Sequence, residues 1–353
     1  MYLDYVWFRA EALMWWSKSS VIPPLVTTSP IGTAPENAGV LGNNTAILFG
    51  NRDLTDTFQP GGRITIGYWI GDDLGLGVEA SYLALNSQSA SYLATSPETA
   101  ILARPYFDLQ TNSQAAMLVA HPDFLDGTIS VHTSTEFQTA EALLRWDLPL
   151  AWFDRAGVLI GYRYAQQEDA IQINQMSRWI TAQGVIPAGT TKQLTDAFAT
   201  KNQFHGAELG LVLQKGFDPW SIELVTKLGI GNSHTSVDIA GSTVTSVPGL
   251  APAPFVGGLL AQSTNIGTHE SNTFALLPEV GLTVGYDITC NLKLFAGYTF
   301  LYWPKVARVS DQIDLSLSQL PPEAPTGVRR PQVPLETTGF WVQGINLGLQ
   351  YRF

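Results

Sequence analysis

Five histidines, His121, His132, His205, His234 and His269, are the first place to look for proton transfer, because a neutral imidazole is the usual general base. A base needs a carboxylate or a nucleophile within hydrogen-bond reach. His269 with Glu270, near a rim, is the only pair worth watching. His132, His205 and His234 fall on a parity that faces away from the charged residues of their segments, and His121 sits in a loop. No Gly-x-Ser-x-Gly elbow, His-Glu-x-x-His pair or cysteine cluster occurs, and Cys290 is a lone cysteine. Asp123 and Asp126 lack the spacing of a calcium loop and read as an acidic turn. Neither catalysis nor a cofactor or metal site is expected.

The ionised residues within apolar stretches are more informative. Arg9, Glu11, Arg63, Glu79, Glu141, Arg145, Arg163, Glu208, Glu223, Lys227, Glu279, Lys293 and Arg352 each alternate with bulky apolar neighbours. Those neighbours include Ile64, Ile66, Val78, Leu144, Ile160, Leu209, Leu211, Ile222, Val280, Leu282 and Leu294. One ionised and one apolar face per strand is the pattern of a transmembrane barrel with lipid outside and a polar lumen. Glycines on the charged parity, such as Gly67, Gly161 and Gly210, are expected to make room for the Arg and Glu side chains.

Ten strands carry these residues, at about 2–17, 61–71, 74–88, 129–147, 156–174, 200–216, 220–239, 271–287, 290–304 and a last strand ending at Phe353. Long connections at 18–60, 89–128, 175–199, 240–270 and 305–339 alternate with short turns, including Gly71-Asp72-Asp73. This sorting predicts an all-β, single antiparallel barrel with long extracellular loops and short periplasmic turns. A bulge or the upper rim is expected at Pro278, which cannot donate to a ladder. Charged residues make up 14% of the chain, far below the roughly 25% of soluble domains. The net charge of −11 excludes a nucleic-acid partner. Met1–Tyr5 has no basic stretch before an apolar core, so a secretion signal is expected to have been removed.

Trp15, Trp16, Tyr68, Trp69, Trp146, Trp152, Trp220, Tyr286, Tyr302, Trp303 and Trp341 lie near strand ends and are expected to form interface girdles against outer-membrane lipid. Ile345, Leu347, Leu349, Tyr351 and Phe353 share one parity in the last strand. Tyr351 and Phe353 resemble the C-terminal signal that the barrel assembly machinery reads.

The runs Gly161-Tyr-Arg-Tyr164, Phe204-His-Gly-Ala-Glu-Leu-Gly210, Gly257-Gly-Leu-Leu-Ala-Gln-Ser-Thr-Asn-Ile-Gly267 and Gly297-Tyr-Thr-Phe-Leu-Tyr-Trp-Pro-Lys-Val-Ala-Arg308 resemble the β-barrel porins of the porin-7 type. Trp7-Phe-Arg-Ala-Glu-Ala-Leu-Met-Trp-Trp16 resembles that family's first strand. The resemblance implies an outer-membrane barrel and leaves its mechanism open.

Ten strands fall between eight, which side chains fill, and sixteen, which leave a channel. Seven basic and six acidic residues in so narrow a lumen favour mutual pairing. The expected function is a plugged barrel acting in surface structure or loop-mediated contact. The alternatives are a small-solute porin, cation-preferring from its acidic total, and a remote third, an outer-membrane hydrolase. The apolar segment 247–260 is the expected contact surface for other envelope proteins.

Overall fold

The computed structural model describes residues 6–55, 57–70, 75–321 and 327–353. Gly71-Asp72-Asp73 and part of the proline-rich segment after Leu320 lie outside them. Strand-forming alternation produces ten barrel strands. They are β1 (Val6–Ser17), β2 (Phe58–Trp69), β3 (Leu76–Leu85, continued by Gln88–Thr95), β4 (Leu125–Leu148) and β5 (Arg155–Trp179). The second half comprises β6 (Thr191–Phe217), β7 (Trp220–Ser246), β8 (Gly267–Asp287), β9 (Leu292–Val306) and β10 (Thr338–Arg352). Each pairs antiparallel with its sequence neighbour, and β10 pairs with β1, which closes the wall. Closure leaves no unpaired strand edge, the condition for crossing lipid with strands.

On the outer face Ile64, Ile66, Leu144, Ile160, Leu209, Leu211, Leu282 and Leu294 are exposed, as an apolar lipid-facing band requires. Pro278 introduces no bulge. It pairs in register with Leu228 and is the first residue of β8 beyond the ladder to β9, which begins at Glu279↔Leu301. The proline therefore stands at the upper rim of that pairing, where a missing donor costs least.

The wall is uneven in height. Strands β4 to β7 run 24, 25, 27 and 27 residues, well over twice the roughly 9–11 that span a bilayer. About half of the residues in the two loops expected at 175–199 and 240–270 are thus strand. Above the membrane the alternation continues with inverted polarity. Gln166, Glu168, Gln172 and Asn174 face outward, while Ile171, Ile173, Leu194, Phe198, Val237 and Ile239 face inward and are buried. The remaining long loops fold onto that apolar inner wall. They contribute a small sheet of Val26–Thr28, Ala46–Phe49, Leu102–Asp108, Ser113–Ala120 and Ser316–Leu317. Ile22, Leu25, Phe49, Leu102, Val119, Leu259, Leu260, Val309 and Leu317 pack there with the wall residues as one core. The loops form a plug seated in the raised half of the barrel.

Two glycines show what the inner face demands. A Cβ at Gly67 would overlap the Trp7 indole, and one at Gly161 would run into the Ala142 carbonyl of β4. Of the three, Gly210 alone has a charged chain nearby, with Lys227 Cγ 3.2 Å from the Cβ position, although the Thr226 carbonyl is nearer at 2.9 Å. At Gly67 the space belongs to a tryptophan, which corrects the expectation.

Candidate functional site

The inward residues stack in four layers from the turn side upward. In the lowest, Asp147 of β4 holds two guanidiniums, Arg145 Nε at 3.0 Å and Arg155 Nε at 3.1 Å. Both lie against the Trp69 ring, 5.3 and 5.1 Å from its centroid. Arg9 holds Glu223 at 3.0 Å, and Lys293 faces Asp287 at 3.6 Å. Arg352 completes the lining of a cavity of about 100 Å³.

The second layer is a compact ion network. Arg163 bonds Glu208 at 2.7 Å and also grips Glu279, while Lys227 grips Glu141. Arg63 lies 3.7 Å from Glu279 and 4.0 Å from Glu11, and Arg9 links the layers through Glu11 at 3.1 Å. Glu79 lines the cavity beside this network. All thirteen charged residues singled out by parity therefore face the lumen. The partner of Glu141 is Lys227, and not the Arg145/Arg163 pair that sequence proximity suggests. Parity alone did not single out Asp147 or Arg155, because both sit where strand meets turn.

The third layer is apolar. Leu13, Trp15, Leu83, Phe137, Phe204, Leu277, Leu301, Trp303, Phe340 and Val342 form a buried disc across the lumen. Phe137 meets Phe340 at 5.6 Å between centroids, and Phe204 meets Trp303 at 6.3 Å. Trp15 donates its indole N–H to Asn346 Oδ1 at 2.6 Å.

The fourth layer ties the plug to the wall. Asn202 accepts the Ala307 N–H and donates to its carbonyl, each at 2.9 Å. Arg308 reaches Asp169 at 2.6 Å and donates to the Lys18 carbonyl at 2.8 Å. Asp196 meets Arg104 at 2.6 Å and accepts the N–H groups of Leu259, Leu260 and Ala261 at 3.3, 3.0 and 2.7 Å. Sequence reasoning missed these anchors. Asp169 and Asp196 carry the lumen parity of their strands, and Arg104 and Arg308 are isolated charges in apolar loop sequence; together those were the available signal.

The aromatic set divides. Trp16, Tyr68, Trp146, Trp152, Trp220 and Tyr286 are exposed on the outside or at the turns, and Tyr302 and Trp341 are partly exposed. Trp15 and Trp303 are 0% exposed inside the barrel, and Trp69 lines the cavity, so these three do not belong to a girdle. The segment 247–260 also divides, with Leu250, Phe255 and Val256 exposed while Leu259 and Leu260 enter the plug core. Burial of those two leucines removes them from any contact surface.

His205 bonds Tyr162 at 2.5 Å and His234 bonds Asn272 at 3.2 Å, both on the outer face. His132 likewise bonds Ser91 at 3.0 Å. His269 Nε2 meets the Asn265 carbonyl at 3.0 Å, beside an exposed Glu270. His121 is buried in the plug, stacked on Phe124 with centroids 4.8 Å apart. Among the described residues no group of three or more His, Cys, Asp or Glu is placed to hold a metal ion. Burial raises the pKa of the Asp311 carboxyl in the plug, against the opposing pull of Arg308.

No curated protein matches the chain. Among solved structures, the outer membrane protease OmpT of Escherichia coli aligns with a TM-score of 0.46 at 9% identity, over 99% of this chain and 97% of that one. Neisserial surface protein A aligns with a TM-score of 0.28 at 10% identity, over 99% and 97%. The toluene transporter TodX of Pseudomonas putida gives 0.21 at 10% identity, over 99% and 89%. The family described as "Putative beta barrel porin-7" matches residues 7–353, and with its ten closed strands, lipid-facing band and polar lumen the chain belongs to that family of outer-membrane β-barrels.

Proposed function

We propose that the protein is a closed barrel that does not pass solutes, and that its role lies in the architecture and contacts of the bacterial surface. The apolar disc of the third layer carries this reading. Ions crossing it would leave water for a packed hydrocarbon environment without partners, at a cost of several kcal/mol each. The paired charges below and the anchored plug above add two further barriers.

In this reading the outer face is a rigid platform, because Asp169, Asp196 and Asn202 fix its loops to the wall. The exposed remainder of the apolar segment, Leu250, Phe255 and Val256, is its contact point for other envelope proteins. Tyr351 and Phe353, whose rings meet edge to face at 5.0 Å on the exposed last strand, serve as the assembly signal.

Single-channel recording of the refolded protein in planar bilayers tests closure. A heat-resistant folded band with no steady openings is the expected result. Steady openings with ion preference would overturn the reading and make the second-layer charges a selectivity lining.

A further inference from the structure

The lumen charges balance in total but not in height. Among the described residues of the lowest layer, Arg9, Arg145, Arg155, Lys293 and Arg352 stand with Asp147, Glu223 and Asp287, five cations with three anions, and Arg9 also reaches Glu11 of the layer above at 3.1 Å. The opposite excess sits in the second layer, where Glu11, Glu79, Glu141, Glu208 and Glu279 outnumber Arg63, Arg163 and Lys227.

The lower cations are also held in a particular way. Asp147 engages Arg145 and Arg155 through their Nε atoms, and Trp69 supports both guanidinium planes. The terminal Nη groups are left for something else. Arg145 is 7% exposed, and its Nη2 is buried beside the cavity without a hydrogen-bond partner. Such a donor is costly to leave unmade. Arg145, Arg155, Lys293 and Arg352 line one cavity, so four cations crowd the same space. Among the described residues Arg352 has no carboxylate within ion-pair distance.

We propose that the turn-side vestibule is a binding site for a tetrahedral oxyanion of the phosphate class, free or as a phosphate monoester. Forked guanidiniums pre-oriented by one carboxylate and one indole match the oxygens of such a group, whereas a chloride ion satisfies only one donor direction. The cavity of about 100 Å³ has room for the oxyanion, and its lining of seven cations (Arg9, Arg63, Arg145, Arg155, Lys227, Lys293 and Arg352) against five carboxylates (Glu11, Glu79, Glu141, Glu223 and Glu279) leaves a positive excess. The site does not depend on the barrel being closed, since it lies wholly below the apolar disc.

Calorimetric titration of the detergent-folded protein, at constant ionic strength set with chloride, tests the site. Inorganic phosphate and glycerol phosphate are the two probes. Saturable binding of one phosphate per chain is expected, weakened about tenfold, or about 1.4 kcal/mol, in Arg155→Gln and in Arg352→Gln. Lys215→Gln, on the outward face beside a short turn and paired with Asp154 at 3.0 Å, leaves it unchanged. Tighter uptake of the ester assigns the site to a phosphorylated metabolite or headgroup, and tighter uptake of the free ion assigns it to phosphate itself. No saturable uptake of either probe in the wild type overturns the proposal, as does equal uptake in the wild type and both arginine variants.

Discussion

Arg104 and Asp196 meet at 2.6 Å with exposures of 1% and 0%, joining the tip of the plug to the taller half of the barrel wall. A pair so dry is held by mutual need, because removing one partner strands a charge in an apolar core. Asp196→Ala should destabilise the outer half by about 3–5 kcal/mol, seen as a lower urea midpoint for the protected plug amides in hydrogen exchange. Arg104→Met with Asp196→Leu should recover only the part due to the stranded charge, because the backbone N–H groups of Leu259 to Ala261 would still lack an acceptor. A single variant as protected as wild type would remove Asp196 from the anchoring role.

Asn202 offers a gentler test, since it carries no charge. Asn202→Leu deletes the two-point clasp on Ala307, and each lost bond to a buried backbone group costs about 1–3 kcal/mol. The chain beyond Ala307 should then open to trypsin at exposed Arg329 while the barrel strands stay intact. Unchanged cleavage kinetics would show that the Arg308–Asp169 pair alone holds this loop.

Glu141 and Lys227 separate stability from closure. Glu141→Ala leaves Lys227 unpaired in the second layer and should lower the heat resistance of the folded band. Conductance should stay silent, because the apolar disc lies above that layer and is untouched. Openings in this variant, with wild type silent, would place the seal in the ion network and not in the disc.

Asp311 supplies a pH signature outside the membrane. Burial raises its folded pKa, with the nearby Glu336 charge in the same direction and Arg308 opposing. A carboxyl raised on folding costs stability where the unfolded chain is ionised, and that cost fades as pH falls below the folded value. Asp311→Asn should therefore stabilise the plug at neutral pH and match wild type in acid. Protease resistance of the outer loops, followed from neutral pH to below the ordinary aspartate range, measures both arms. A variant weaker than wild type at neutral pH would mean that the charge is needed by Arg308.

The membrane-spanning half of this molecule was legible because its alternation has one meaning, lipid outside and charge inside. The rule stopped at about Gln166 and Gln203, which pair across β5 and β6 and where polarity inverts: Ile171 and Phe198 keep the inward parity of Arg163 and Glu208 but meet a plug instead of water. Three tryptophans were misplaced for the converse reason. Trp15, Trp69 and Trp303 share the parity of Arg9, Arg63 and Lys293, so alternation already put them inside, yet their position near strand ends suggested a girdle. The anchors Arg104, Asp169, Asp196 and Arg308 depend on contacts between distant segments, which no local pattern encodes.

The plug joins the first long loop to the last. Arg308 donates to the Lys18 carbonyl, and Ser310 meets Ser20, across nearly three hundred residues of chain. Neither contact can exist until the wall has come full circle and β10 has found β1. A barrel stalled one strand short would leave Ile22, Leu25 and Val309 uncovered. Completion of the ring and burial of those side chains are one event, so the cap acts as a seal of manufacture.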